Sequence, residues 1–344
     1  MKFQNSKCVV ALSLVVLIAA GCGGAGASGI PSATSSTDAG LRPPQQTATP
    51  APTAKPTSGS SNDMPYTCPT AQTSSGALNC TNLPLGDQKY STTGAKVGYI
   101  YSCQSLSGTP PVTSAPWLNT GAGIWNMTQK IAVQGSVSWN GSFTATTSGS
   151  STTIVSNEVP IAPHTTGTFP IQSTDPAYTY DRNPNSIESH AVDVALSANP
   201  SQASSPSCLN MGAIGITVTG VAIYNAFDGA GYDAVAREEQ DACHGHPDQS
   251  DTYHYHGDLQ ACVPDSGSAT QNSNLLGYAL DGYGIYGPWY NGKILTTADL
   301  DECHGTTSQV MWQGKLVSIY HYVSTYQFPY TLGCFRGTPV HGLS

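Results

Sequence analysis

The chain has little charge to offer a partner. Among 344 residues there are twelve Lys and Arg against twenty-one Asp and Glu, and the net charge is −9. No basic run or stripe exists to neutralise phosphates, which argues against nucleic acid as a partner. The apolar stretch Val9–Ala20 is too short to cross a bilayer. There is no Cys-x-x-Cys pair of the kind that builds thiolate metal sites, and no Gly-x-Ser-x-Gly elbow to present a nucleophilic serine. An EF-hand calcium loop is also missing. Helix signals are few. What remains is rich in Gly, Ser, Thr and Tyr, a composition suited to strands and long loops.

The first residues read as an export signal. Lys2 and Lys7 precede the apolar stretch, and small residues lead into Cys22 through Ala19, Ala20 and Gly21. This pattern looks like a lipoprotein cleavage box. Residues 1–21 would be the signal peptide, and Cys22 the lipidated (palmitate-bearing) N-terminus. The expected partner is then a lipid bilayer, and the expected location the cell envelope. Gly23 resembles the outer-membrane sorting case in a cell with two membranes. Residues 22–65, rich in Ser, Thr, Pro and Ala, bury too little to fold and read as a flexible tether. Losing Lys2 and Lys7 with the signal leaves ten basic against twenty-one acidic residues, a net charge of −11.

With Cys8 removed and Cys22 lipidated, eight of the ten cysteines remain, an even number that reads as disulfides in an exported chain. From residue 66 onward the expectation is a mainly β fold with a few short helices. Strands are expected at 130–137, 142–147, 214–224 and 315–322, and one helix at 233–243 capped by Asp233. Asp228-Gly229 and Asp281-Gly282 read as turns. Residues 66–134 form an N-terminal β-rich region expected to pack on a main domain at 135–344.

Within that domain three blocks recur in order. Gly220–Tyr224 aligns with Gly282–Tyr286, the Asp-x-Cys-His-Gly run at 241–245 with that at 301–305, and Tyr253-His254-Tyr255 with Tyr320-His321-Tyr322. A cysteine closes each series. The domain is therefore expected to hold two similar halves in tandem, about 220–262 and 282–334, stapled by Cys243–Cys262 and Cys303–Cys334. The pairing of Cys68, Cys80, Cys103 and Cys208 stays open.

The histidines carry the strongest chemical signal. Four of nine, His244, His246, His254 and His256, fall between residues 244 and 256. His244, His254, His304 and His321 occur in both halves. His246 and His256 are matched by Thr306 and Val323, so the two are absent together, which suggests that they act as a pair. In a strand, His254 and His256 share one face, and two imidazoles so placed can grip one ion. His244 and His246, if extended, would add ligands, and His304 and His321 would close the site. The expected ion is Cu or Zn. Glu239, Asp241 and Asp251 are expected to support the imidazoles.

Taken together, GVAIYNAFDG (220–229), DACHGHP (241–247), YHYH (253–256), GYALDGYGIYGP (277–288), LDECHG (300–305) and YTLGCFRG (330–337) resemble the bacterial YHYH-domain family over about residues 135–340. The resemblance implies an exported protein with a metal-binding or surface role. The second half's YHYV departs from the motif, so a role needing it twice is not implied. Two other functions are compatible with these residues. One is an envelope module binding glycan or protein, with structural histidines. The other is a metal-dependent hydrolase or oxidase.

Overall fold

The computed structural model describes residues 66–343. The signal peptide, Cys22 and the tether lie outside the described residues. The central element is an eight-stranded sheet built from β1 (Ala213–Thr217), β2 (Ala222–Tyr224), β3 (Gly245–Pro247), β4 (Tyr253–Tyr255), β5 (Leu275–Ala279), β6 (Gly284–Tyr286), β7 (Gly305–Trp312) and β8 (Lys315–Val323). Its order is β3-β4-β2-β1-β5-β6-β8-β7. From the antiparallel β1–β5 pair outward, each side repeats the same pairings. An antiparallel neighbour comes first (β2 or β6), then a parallel one (β4 or β8), then an antiparallel edge strand (β3 or β7). The three matched sequence blocks occupy matching places on the two sides.

The strands nearest the centre are buried on both faces, so they read as apolar runs rather than alternating ones. Ile214, Ile216, Ala222, Ile223, Leu276 and Ile285 are fully covered. Residues 214–224 form a hairpin, not the single strand expected. Gly220 turns the chain at φ +85°, and a Cβ there would lie 2.7 Å from Ser156 Oγ. Thr217 closes the turn by accepting the Val221 N–H and donating to its carbonyl. A second sheet orders Val192–Ser197, Ser151–Ser156 and Phe143–Ser148 antiparallel, with Ile154 buried at its centre.

Strands form at Phe143–Ser148 and Lys315–Val323, close to the expected 142–147 and 315–322, but two other local expectations need correction. The expected strand at 130–137 is mostly irregular, because Lys130 turns inward. Its Nζ, fully buried, donates to the carbonyls of Val235 (2.5 Å) and Glu238 (2.6 Å). Those bonds end the helix, which runs only Ala234–Arg237 (α1) instead of 233–243, and Glu238 is already extended. Residues 66–134 hold α1 from several directions. Asp87 pairs with Arg237 at 2.6 Å, Trp117 Nε1 donates to the Ala236 carbonyl, and the Gly86 N–H donates to Asp233. Four disulfides join Cys68 to Cys80, Cys103 to Cys208, Cys243 to Cys262 and Cys303 to Cys334. Among the described residues no helix is long and apolar enough to cross a membrane.

Candidate metal centre

The site begins with a turn. Asp241 Oδ1 accepts the N–H groups of Cys243 and Gly245, and the Gly245 carbonyl accepts the Asp241 N–H. His244 must then take a left-handed conformation at φ 63°. Asp301 makes the same bonds to Cys303 and Gly305, placing His304 at φ 66°. In each turn a tyrosine of the following motif locks the carboxylate: Tyr253 donates to Asp241 and Tyr320 to Asp301.

That lock sets the face each histidine uses. With Tyr253 directed at Asp241, His254 points to the opposite side of β4, and His256 follows it two residues on. His246 on β3 lies directly across from His254 in the antiparallel register. All three are buried, and their ligand atoms lie within 4.8 Å of one another. His254 Nδ1 donates to the Thr252 carbonyl (3.0 Å) and His256 Nδ1 to the Asn225 carbonyl (2.5 Å). A carbonyl only accepts, so each proton sits on Nδ1 and each Nε2 carries a bare lone pair. These two Nε2 atoms face each other at 3.0 Å. Burial lowers all three histidines. His254 falls to about 4, and His246 and His256 lie well below the ordinary range, pushed further by their neighbouring imidazoles. The imidazoles are therefore neutral and ready to ligate.

Glu238 stands beside two of these histidines. Its Oε2 lies 3.4 Å from His246 Nε2 and 3.3 Å from His256 Nε2. Burial raises its carboxyl well above the ordinary range, and the charges of Asp228 and Asp181 push the same way. Four ligands at about 2.0–2.1 Å from one ion stand roughly 3.0–3.4 Å apart. The three pairs at 3.0, 3.3 and 3.4 Å fall in this range, and the group whose ligand atoms all lie within 4.8 Å of one another is that of the three histidines. Tyr224 stacks on His254 with ring centroids 3.8 Å apart and donates to Asp248. The group borders a cavity of about 590 Å3.

Three expected ligands lie elsewhere. The left-handed turn aims His244 away from β3, where Nδ1 meets Asp258 at 2.9 Å beneath the Tyr66 ring. His304 Nε2 bonds Thr325 Oγ1 at 3.0 Å. His321 repeats the His254 arrangement, with Nδ1 donating to the Ile319 carbonyl, but Thr306 and Tyr286 flank it and Val323 follows where His256 would be. Its Nε2 meets only Ser308 Oγ, at 3.5 Å.

The expected supporting acids are displaced as well. Asp241 is consumed by its turn and by the Gly167 N–H, and Asp251 accepts from Ser186. Because α1 ends early, Glu238 rather than Glu239 faces the histidines. The Glu239 carboxylate is buried without a hydrogen-bond partner among the described residues; burial raises its pKa, and the nearby charge of Lys130 offsets part of that rise. His164 approaches Cys243 and Cys262, but those sulfurs are joined as a disulfide and are not thiolates.

Burial pushes Glu239 up to about 8, against 4.5 for an exposed glutamate. Between these values the folded chain keeps a proton that the unfolded chain releases, so this group's contribution falls as pH rises through 8. Glu239→Gln should therefore gain stability relative to the parent chain from pH 5 to pH 9, on the order of 4 kcal/mol for the roughly three pH units up to the folded value, in which the Lys130 attraction is already contained. Urea unfolding at both pH values measures this, and a pH-independent difference would refute it.

Residues 193–295 match the model of the YHYH protein family. The match covers all three clustered histidines and Glu238, and supports assigning this region to that family. None of the curated proteins and none of the solved structures compared with the chain matches it.

Proposed function

We propose that the protein binds one transition-metal ion through His246, His254 and His256, with Glu238 as the fourth ligand. The observation that carries this is the pair of opposed Nε2 lone pairs, each fixed by a carbonyl on the far side of its ring. Two lone pairs 3.0 Å apart repel unless a cation or a proton lies between them. Three imidazoles and a carboxylate suit Zn or Cu(II). The ion would border the cavity, where a small molecule can reach it, an arrangement compatible with hydrolytic or redox work.

The same proposal places the chain outside the cytoplasm, lipid-anchored at Cys22 in the cell envelope. Four disulfides favour an oxidising compartment. The full chain, extracted from membranes without chelator, should carry about one equivalent of Zn or Cu by elemental analysis. His256→Ala should lose the metal, whereas His244→Ala, His304→Ala and His321→Ala should keep it. Metal retained by His256→Ala would overturn the site, and recovery only in the soluble fraction would overturn the anchor.

A further inference from the structure

The cavity beside the histidines has a lining of one sign. Asp181, Asp228, Glu238 and Asp248 contribute carboxyl groups, and neither lysine nor arginine lines it. Lys130 stands behind the wall with Nζ bound to two carbonyls. Asp248 is occupied by Tyr224 and by the N–H groups of Ser250 and Thr252. Asp228 is different. Its Oδ1 accepts the Ala230 and Tyr232 N–H groups and forms the turn, while Oδ2, buried in the cavity wall, has no partner. The residue is 3% exposed. Phe227 and Tyr224 supply aromatic surface to the same cavity.

We propose that this cavity receives a small organic cation, a primary amine or guanidinium compound, with Asp228 as its charge partner. A buried carboxylate oxygen without a donor is unfavourable, and an N–H-bearing cation supplies both the hydrogen bond and the charge. The aromatic rings favour the same class of ligand. Anionic substrates such as phosphate esters or dicarboxylates would meet uncompensated carboxylates. Asp181, Asp228 and Asp248 do not gather with the histidines into one ligand set. About 590 Å3 holds a ligand that spans them, rather than a second ion gripped by all of them. The inference deepens the proposed site by naming its ligand class, and it does not require the metal to be present.

Calorimetry on the full chain, metal-stripped and zinc-loaded, with 1,4-diaminobutane, butane-1,4-diol and succinate as probes, tests it. In the metal-stripped chain the diamine should bind at least roughly tenfold more tightly than the diol, and succinate should not bind. Asp228→Asn keeps the turn-forming oxygen and should weaken the diamine about tenfold while leaving the diol unchanged. In the metal-stripped chain, equal affinity for diamine and diol, binding of succinate, or no binding of any probe overturns the inference. The comparison among probes on the parent chain decides the matter even if the variant misfolds. Because the metal-stripped arm stands alone, failure of the metal proposal and failure of this one read differently.

Discussion

Asp241→Ala should destabilise the fold by about 3–5 kcal/mol. Its carboxylate is fully buried and accepts from Gly167, Cys243, Gly245 and Tyr253. Alanine strands those donors away from water. Burial raises the Asp241 carboxyl, while the backbone N–H groups and the tyrosine draw it down. The desolvation penalty is therefore offset by hydrogen bonds made only in the folded chain. Asp301→Ala should cost less, because that carboxylate is more exposed and its counterpart of the Gly167 contact is missing from the bonds it makes. Chemical denaturation of both variants provides the comparison. A loss below about 1 kcal/mol for Asp241→Ala would mean that the turn is held by something else.

Zinc should stabilise the parent chain by about 4 kcal/mol when free metal is a thousandfold above its Kd. Melting temperature would rise by roughly 2–4 °C for each kcal/mol in a domain of this size. His256→Ala should show no such rise, while His321→Ala should respond like the parent. Glu238→Gln should still bind, but roughly 10–100-fold more weakly, because a neutral amide replaces the charged ligand. A parent chain whose melting does not respond to Zn or Cu, or an undiminished response in His256→Ala, would contradict the assignment. The His321 comparison is informative because that histidine has the same tautomer-fixing carbonyl as His254 and lacks the flanking imidazoles.

The positions of the three clustered histidines were legible from strand periodicity and from comparing the two sequence halves. His254 and His256 alternate with tyrosines, and the joint replacement of His246 and His256 marked them as a pair. Both now face Glu238 Oε2. His244 misled because an imidazole beside a cluster invites counting as a ligand. Its direction depends on a left-handed backbone that only the Asp241 hydrogen bonds reveal. Glu238 was hidden for a different reason. Residues 233–243 carry good helix formers, and nothing local stops the helix after Arg237. The stop comes with Lys130, more than a hundred residues earlier, which binds the carbonyls of Val235 within α1 and of Glu238 just past its end. The mainly β character and the short strands followed from composition and alternation. The clasp of residues 66–134 around α1 did not, since it rests on long-range pairs such as Asp87 with Arg237.

Cys243 and Cys262 close a ring 19 residues apart in sequence that contains all three clustered histidines, while Glu238 lies just outside it. Such a ring keeps the imidazoles near one another even when the sheet is melted. On the proposed metal site, the oxidised, unfolded chain would therefore retain some affinity for the ion, and this would subtract from the stabilisation that metal confers on the folded chain.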